Sequence, residues 1–125
     1  MPWSFDDATY QRWVAVAELH DRAVPLIRRL WAQARRTGVP PVRPLWLQFP
    51  GDRRAAAQDQ EWTLGDDVLV APVVTQGAAG RAVYFPRGCW SRPGSGERFT
   101  GPTTRAVAAP LGQLPYFVRC GMRPF

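Results

Sequence analysis

The run Leu64-Gly65-Asp66-Asp67-Val68-Leu69-Val70-Ala71-Pro72-Val73 decides how this chain is read, with Val42-Arg43-Pro44-Leu45-Trp46-Leu47-Gln48-Phe49-Pro50 as its companion upstream. Each is a short apolar run bounded by Pro or Gly, too short for a stable helix and suited to a buried strand. Before the first of them the pattern is helical. Tyr10, Trp13, Val14, Ala17, Val24, Ile27, Trp31 and Ala34 recur at helical spacing and mark one apolar face, with Arg12, Glu18, Asp21, Arg22, Arg28 and Arg35 mostly off it. Asp6 or Asp7 suits the N-cap, Arg35 and Arg36 fall in the last turn where cations are favoured, and Gly38 is a C-terminal stop. The spacing predicts a helix from Asp7 to Thr37, kinked near Pro25, which cannot donate to the helix ladder.

After the second run the pattern is strands and turns. Val39-Pro40-Pro41 forces an extended link into a strand over Val42 to Phe49, and Pro50 to Gln58 reads as a polar loop with a helical turn at Arg54–Ala57. Further strands are expected at Asp67–Val73, Ala82–Phe85, Cys89–Trp90, Arg98–Phe99, Thr104–Ala109 and Pro115–Arg119, with Gln76–Gly80 as a hairpin loop and Pro86–Gly101 turn-rich. Strands so short and evenly spaced predict a sandwich or barrel rather than βαβ units.

The totals bound the function. The chain has 125 residues, one ordinary domain's worth, and 46% hydrophobic residues from which to build a core. No apolar run approaches the roughly 20 residues of a membrane helix, and the N-terminus lacks the layout of a signal peptide. These features predict a soluble, cytoplasmic chain with no membrane partner. The net charge of +6 comes wholly from arginine, since there is no lysine. The arginines are scattered, with acids between many of them, so a nucleic-acid stripe is not expected. Cys89 and Cys120 fit neither a CxxC motif nor a zinc site; two reduced thiols are the expectation and a disulfide between two strands the alternative.

Few residues promise chemistry. Hydrolysis of a glycoside needs two carboxylates flanking a sugar. Asp6 and Asp7 read as a helix cap, Glu18 and Asp21 as an exposed face, and Asp66 and Asp67 as neighbours pointing to opposite sides of a strand. Asp52 and Asp59 are the candidate substrate-binding pair, because a loop between them could bring them together, although hydrogen-bonding to loop N–H groups is the better reading of both. His20, the single histidine, lies mid-helix and is read as a surface residue. Gly94-Ser95-Gly96 is a turn and not a nucleophile elbow. No cofactor loop or metal-ligand set is present, and no catalytic residue is assigned. Trp62, Trp90, Tyr84 and Tyr116 read as core, or else as a sugar-stacking platform of a stand-alone carbohydrate-binding module.

Read as an ordered set, the two runs say more. Arg43-Pro44-Leu45, then Phe49-Pro50, Asp52, Asp59-Gln60, Leu64-Gly65, Asp66 and Leu69-Val70-Ala71-Pro72-Val73 resemble glycoside hydrolase family 31, the α-glucosidase and α-xylosidase family. The order continues through Val83-Tyr84-Phe85-Pro86, Gly88, Trp90, Gly96-Glu97, Ala109-Pro110-Leu111, Leu114-Pro115, Phe117-Val118-Arg119 and Gly121. The resemblance implies an α+β fragment: a kinked helix and last strand of a (β/α)8 barrel over residues 1–58, followed by an antiparallel proximal β-sandwich over residues 59–125. It implies that both catalytic aspartates of that family lie outside this chain. A carbohydrate would then be met only through the missing barrel, and this piece would serve as scaffold. Such a fragment is expected to be marginally stable and to self-associate, because its helix face would lack a partner surface.

Overall fold

The computed structural model describes residues 1–125, the Pro2 side chain excepted. One helix, α1, runs over Asp7–Thr37 with Pro25 inside it. Both ends are built as their residues dictate. The Thr9 amide donates to the Asp6 carboxylate at 2.7 Å, and Gly38 takes a left-handed φ of 74° while its N–H donates to the Ala34 carbonyl. The apolar face is the surprise. The residues that bury are Ala23, Leu26 and Leu30, whereas Tyr10, Trp13 and Trp31 of the predicted face are exposed. α1 therefore carries two apolar stripes, and the aliphatic one meets the sheet.

Six strands follow: β1 (Val42–Pro44), β2 (Trp62–Leu64), β3 (Val68–Val70), β4 (Gly80–Ser91), β5 (Arg98–Ala108) and β6 (Tyr116–Arg119). They form one sheet in the order β1-β2-β3-β6-β4-β5, and every pairing is antiparallel. β4 pairs with β6 in register only at Trp90↔Arg119 and Ser91↔Val118, so the ladder joining the β4–β5 hairpin to the rest of the sheet is short.

β3 shows why its run reads as buried on both sides. Successive side chains point to opposite faces. Leu69, opposite Phe117 of β6, packs into the cluster of Val83, Phe85, Trp90 and Val107 from the β4–β5 hairpin. Val68 and Val70 face the other way, onto Leu26 and Leu30 of α1. The strand is the middle layer between helix and hairpin.

Several expectations need correction. The strand predicted over Val42–Phe49 ends at Pro44, and Leu45–Gln48 closes a helical turn, α2, that drops Leu45 into the core with no exposed surface. The short strands expected at Ala82–Phe85 and Cys89–Trp90 are one 12-residue strand, and those at Arg98–Phe99 and Thr104–Ala109 are one of 11 residues. A bulge absorbs Pro86 and Arg87: the register runs cleanly to Phe85↔Thr103 and resumes at Gly88↔Gly101. Cys89 and Cys120 are not free thiols but form a disulfide, with the Cys120 amide donating to the Cys89 carbonyl at 3.0 Å. The physical reason is that β6 returns beside β4, a long-range pairing that spacing alone does not reveal. No helix among the described residues is long and apolar enough to cross a membrane.

Glu61, just before β2, ties the layers together. Its carboxylate accepts from the Tyr84 amide at 3.1 and 3.2 Å and from Arg81 Nη2 at 3.1 Å, while Arg81 Nη1 donates to the Gln60 and Pro72 carbonyls. The residue is buried, and burial pushes its carboxyl up to about 7 against the opposing pull of the Tyr84 amide and Arg81. A carboxyl raised in the folded state binds its proton more tightly there than in the unfolded chain. Its contribution is therefore fully present below about pH 4.5 and is lost as pH rises through about 7. At about 1.4 kcal/mol per pH unit the full change is on the order of 3 kcal/mol. Glu61→Gln is expected to flatten the fall in urea-unfolding stability between pH 5 and 8; parallel profiles for the two proteins would refute this assignment.

Candidate functional site

The concave surface of greatest interest is built by the loop after α2. Asp52 caps α3 (Arg53–Ala56), its Oδ1 accepting from the Arg54 amide at 2.9 Å and the Ala55 amide at 3.1 Å. Its other oxygen accepts from the Tyr84 hydroxyl at 2.6 Å, which pins the loop to β4. Burial raises the Asp52 carboxyl, but the Tyr84 hydroxyl and the Ala55 and Arg54 amides outweigh it and hold the group below its ordinary value. Tyr84 is pushed up to about 12, first by burial and then by Asp52. At neutral pH the pair is thus an ionised acceptor and a neutral donor.

Beside this pair opens a cleft of about 790 Å³. Phe49, Gly51 and Asp52 line one side, Tyr84 and Pro102 the other, and the exposed side chains of Arg53, Arg54 and Arg87 reach its walls. Asp52 is the single carboxylate that lines it. Asp59 is exposed and does not line the cleft, so the two candidate residues are not brought together there. With both Asp52 oxygens engaged and no second acid across the cleft, this surface lacks the carboxylate pair that glycoside hydrolysis requires.

A second polar constellation joins the first strand to the turn before β3. Asp66 accepts from Gln48 Nε2 at 3.0 Å and from Arg43 Nη1, and Arg43 Nε donates to the Pro40 carbonyl at 2.9 Å. The Gln48 bond, aided by Arg43 and opposed by burial, holds the Asp66 carboxyl below its ordinary value. Arg43 Nη2 and Thr63 Oγ1, on residues opposite each other in register, are buried without a protein partner. Asp67 turns instead toward Arg119, whose Nε lies 4.0 Å from its carboxylate. His20 is exposed on α1. Among the described residues no three His, Cys, Asp or Glu side chains gather as a metal site.

The aromatic residues are placed by packing. Trp90 has no exposed surface, and Trp62 is half-buried against the cluster under α1, so neither offers the open ring of a sugar platform. Glu61, Arg81 and Arg87 were not singled out in the sequence. A lone acid before a strand and arginines within one carry no local signal; their roles come from contacts 20 or more residues apart, as in Arg81 with Glu61.

Comparison with known proteins places this architecture. Residues 38–122 match the Glycosyl hydrolase family 31 C-terminal domain. Alpha-glucosidase 2 of Bacillus thermoamyloliquefaciens is 33% identical over 121 residues, which are 96% of this chain and 15% of that protein. The sulfoquinovosidase of Escherichia coli K12 is 32% identical over 94% of this chain and 17% of its own length. Among solved structures, a GH31 alpha-xylosidase from a soil metagenome superposes with a TM-score of 0.93 at 33% identity, covering 99% of this chain and 18% of that one. A Flavobacterium johnsoniae GH31 dextranase gives 0.93 at 32% identity over 98% of this chain and 15% of its own. The chain thus spans less than a fifth of each of these relatives.

Proposed function

The chain belongs to glycosyl hydrolase family 31, and from that premise we propose that it is the C-terminal portion of a retaining α-glycosidase, contributing scaffold and not chemistry. In this reading residues 1–58 are the end of a (β/α)8 barrel and residues 59–125 the proximal β-sandwich that buttresses it. The nucleophile and acid/base of the retaining mechanism would stand on the barrel, and the carbohydrate would be met there. Hydrolysis of O-glycosyl bonds is therefore proposed for the whole protein, not for this piece.

The observation that carries the reading is the outward stripe of α1. Tyr10, Trp13 and Trp31 are exposed along α1, Tyr10 and Trp13 stacked at 6.4 Å, and Trp3 and Phe5, just before the helix, are exposed as well. Large aromatic side chains left open in a row mark a surface that is covered in the working protein, and barrel neighbours are its proposed cover. The free edge of β1 points the same way, since Val42 is exposed on the last strand of the sheet. In isolation the same stripe would drive self-association. The purified chain is expected to scatter light as a species heavier than 14.0 kDa and to leave an aryl α-glucoside unhydrolysed. An inert monomer, or turnover that disappears in Asp52→Asn, would overturn the proposal.

A further inference from the structure

We propose that the cleft beside Asp52 binds a small molecule carrying an oxyanion, with the body of the ligand, a sugar ring, against its apolar wall. Three arginines line this cleft, Arg53, Arg54 and Arg87, all exposed. Arg43, Arg81, Arg92 and Arg119 each pair with a carboxylate, while other arginines such as Arg105 take part in no ion pair among the described residues; the cleft differs in gathering three such arginines on one concave surface. The three at the cleft take part in no ion pair and no side-chain hydrogen bond among the described residues. The one carboxylate present, Asp52, keeps its negative charge and is felt by Arg54, so it offsets one of the three positive charges and leaves the lining net positive. It forms no ion pair with any of them, its oxygens being held by two amides and the Tyr84 hydroxyl. The amides at the start of α3 are spent on Asp52 as well, so any anion would be held by side chains.

Arg87 stands at the cleft because of the β4 bulge. Pro86 and Arg87 fall outside the ladder between Phe85 and Gly88, and a bulge re-aims the side chain it carries. Planar guanidinium groups match the geometry of phosphate, sulfate and carboxylate oxygens in paired hydrogen bonds. The exposed Pro102, and Phe49, half-buried against the core with Arg119 over its ring, add apolar surface, and the cleft, about 790 Å³, lies in the range of small-molecule sites. The scaffold role assigns nothing to this surface, so the two readings stand or fall separately.

Equilibrium dialysis of the full chain at low salt, with glucose 6-phosphate, inorganic phosphate and glucose as probes, tests the idea whatever the association state. Glucose 6-phosphate is expected to saturate one site per chain, at least tenfold tighter than inorganic phosphate, and glucose to show no binding. Arg54→Ala and Arg87→Ala should each weaken glucose 6-phosphate about tenfold or more, while Arg105→Ala, exposed on β5 and outside the cleft, should not. Absence of saturable anion binding, or equal weakening by Arg105→Ala, would show only diffuse attraction to a basic chain and overturn the site. Equal affinity for the phosphate and the sugar phosphate would overturn the role of the apolar wall.

Discussion

Trp90→Ala is expected to lower the unfolding free energy by about 4 kcal/mol, with a lower urea midpoint and an unchanged slope. Three losses combine at this residue. The ring is fully buried and belongs to the cluster around Leu69, Phe85 and Phe117, so truncation opens a cavity the layers cannot close. Its Nε1 donates to the Pro86 carbonyl at 2.9 Å, and removing the indole leaves that acceptor buried and unpaired. The Arg119 guanidinium lies 4.7 Å from the ring centroid and loses its aromatic face, although its Nε keeps the Asp66 carbonyl at 3.0 Å. Position adds to these terms, because Trp90↔Arg119 is one of two ladder pairs between β4 and β6, beside the Cys89–Cys120 disulfide. Domains of this size are typically stable by about 5–15 kcal/mol, so the variant would approach the threshold of folding. Trp90→Phe, which restores apolar volume but not the N–H, should recover roughly half the loss. A Trp90→Ala protein within about 1 kcal/mol of wild type would mean that the joint is held elsewhere.

How much of this was legible depended on whether the deciding contact was local. Asp6, Arg35, Arg36 and Gly38 act within a turn of themselves, and the Asp7–Thr37 helix could be read to its ends. β3 was legible because an uninterrupted Val-Leu-Val run is what burial on both faces requires. The spacing marks the aromatic stripe of α1 and misses the aliphatic one beside it, because spacing ranks stripes by hydrophobicity, while the sheet selects by fit: Val68 and Val70 meet Leu26 and Leu30, not tryptophans. Pro86, Gly88 and Gly101 belong to a stretch that reads as turn-rich; with Pro102 they are the material of a bulge inside long strands, while Pro44, which reads as mid-strand, precedes a helical turn. The disulfide and the Glu61 node depend on β6 and β4 arriving beside distant segments, and no window of sequence reports that. At the site, Asp52 was legible as a residue of interest but its partner Tyr84, 32 positions away, was not. The family resemblance rested on the order of many weak motifs, and that order survives where individual element boundaries did not.

Gly101→Ala should be the most damaging of the glycine substitutions, and the reason is the same bulge. A Cβ built at Gly101 would run into the carbonyl oxygens of Phe85 and Pro86, with the Pro86 carbonyl carbon at 2.7 Å. These are backbone atoms of the paired strand and cannot swing aside as a side chain would. Gly101 does not have a positive φ, so the objection is steric and not conformational. The hairpin must either shift register or open around Pro86 and Arg87, at a cost of about 3 kcal/mol or more. Two other glycines separate the terms. Gly96 has open space but a φ of 73°, so Gly96→Ala should cost about 1 kcal/mol for the left-handed backbone alone. Gly51 has neither a close neighbour nor a positive φ, and Gly51→Ala should be close to neutral. Urea titrations of the three variants should therefore rank Gly101, Gly96 and Gly51 in falling order of damage. An order in which Gly101→Ala is not the most damaging would mean that the bulge is not held by the close approach of the two backbones. Because Arg87 sits on that bulge, a folded Gly101→Ala protein should also bind glucose 6-phosphate less tightly than Gly96→Ala does, which connects the strand irregularity to the cleft it shapes.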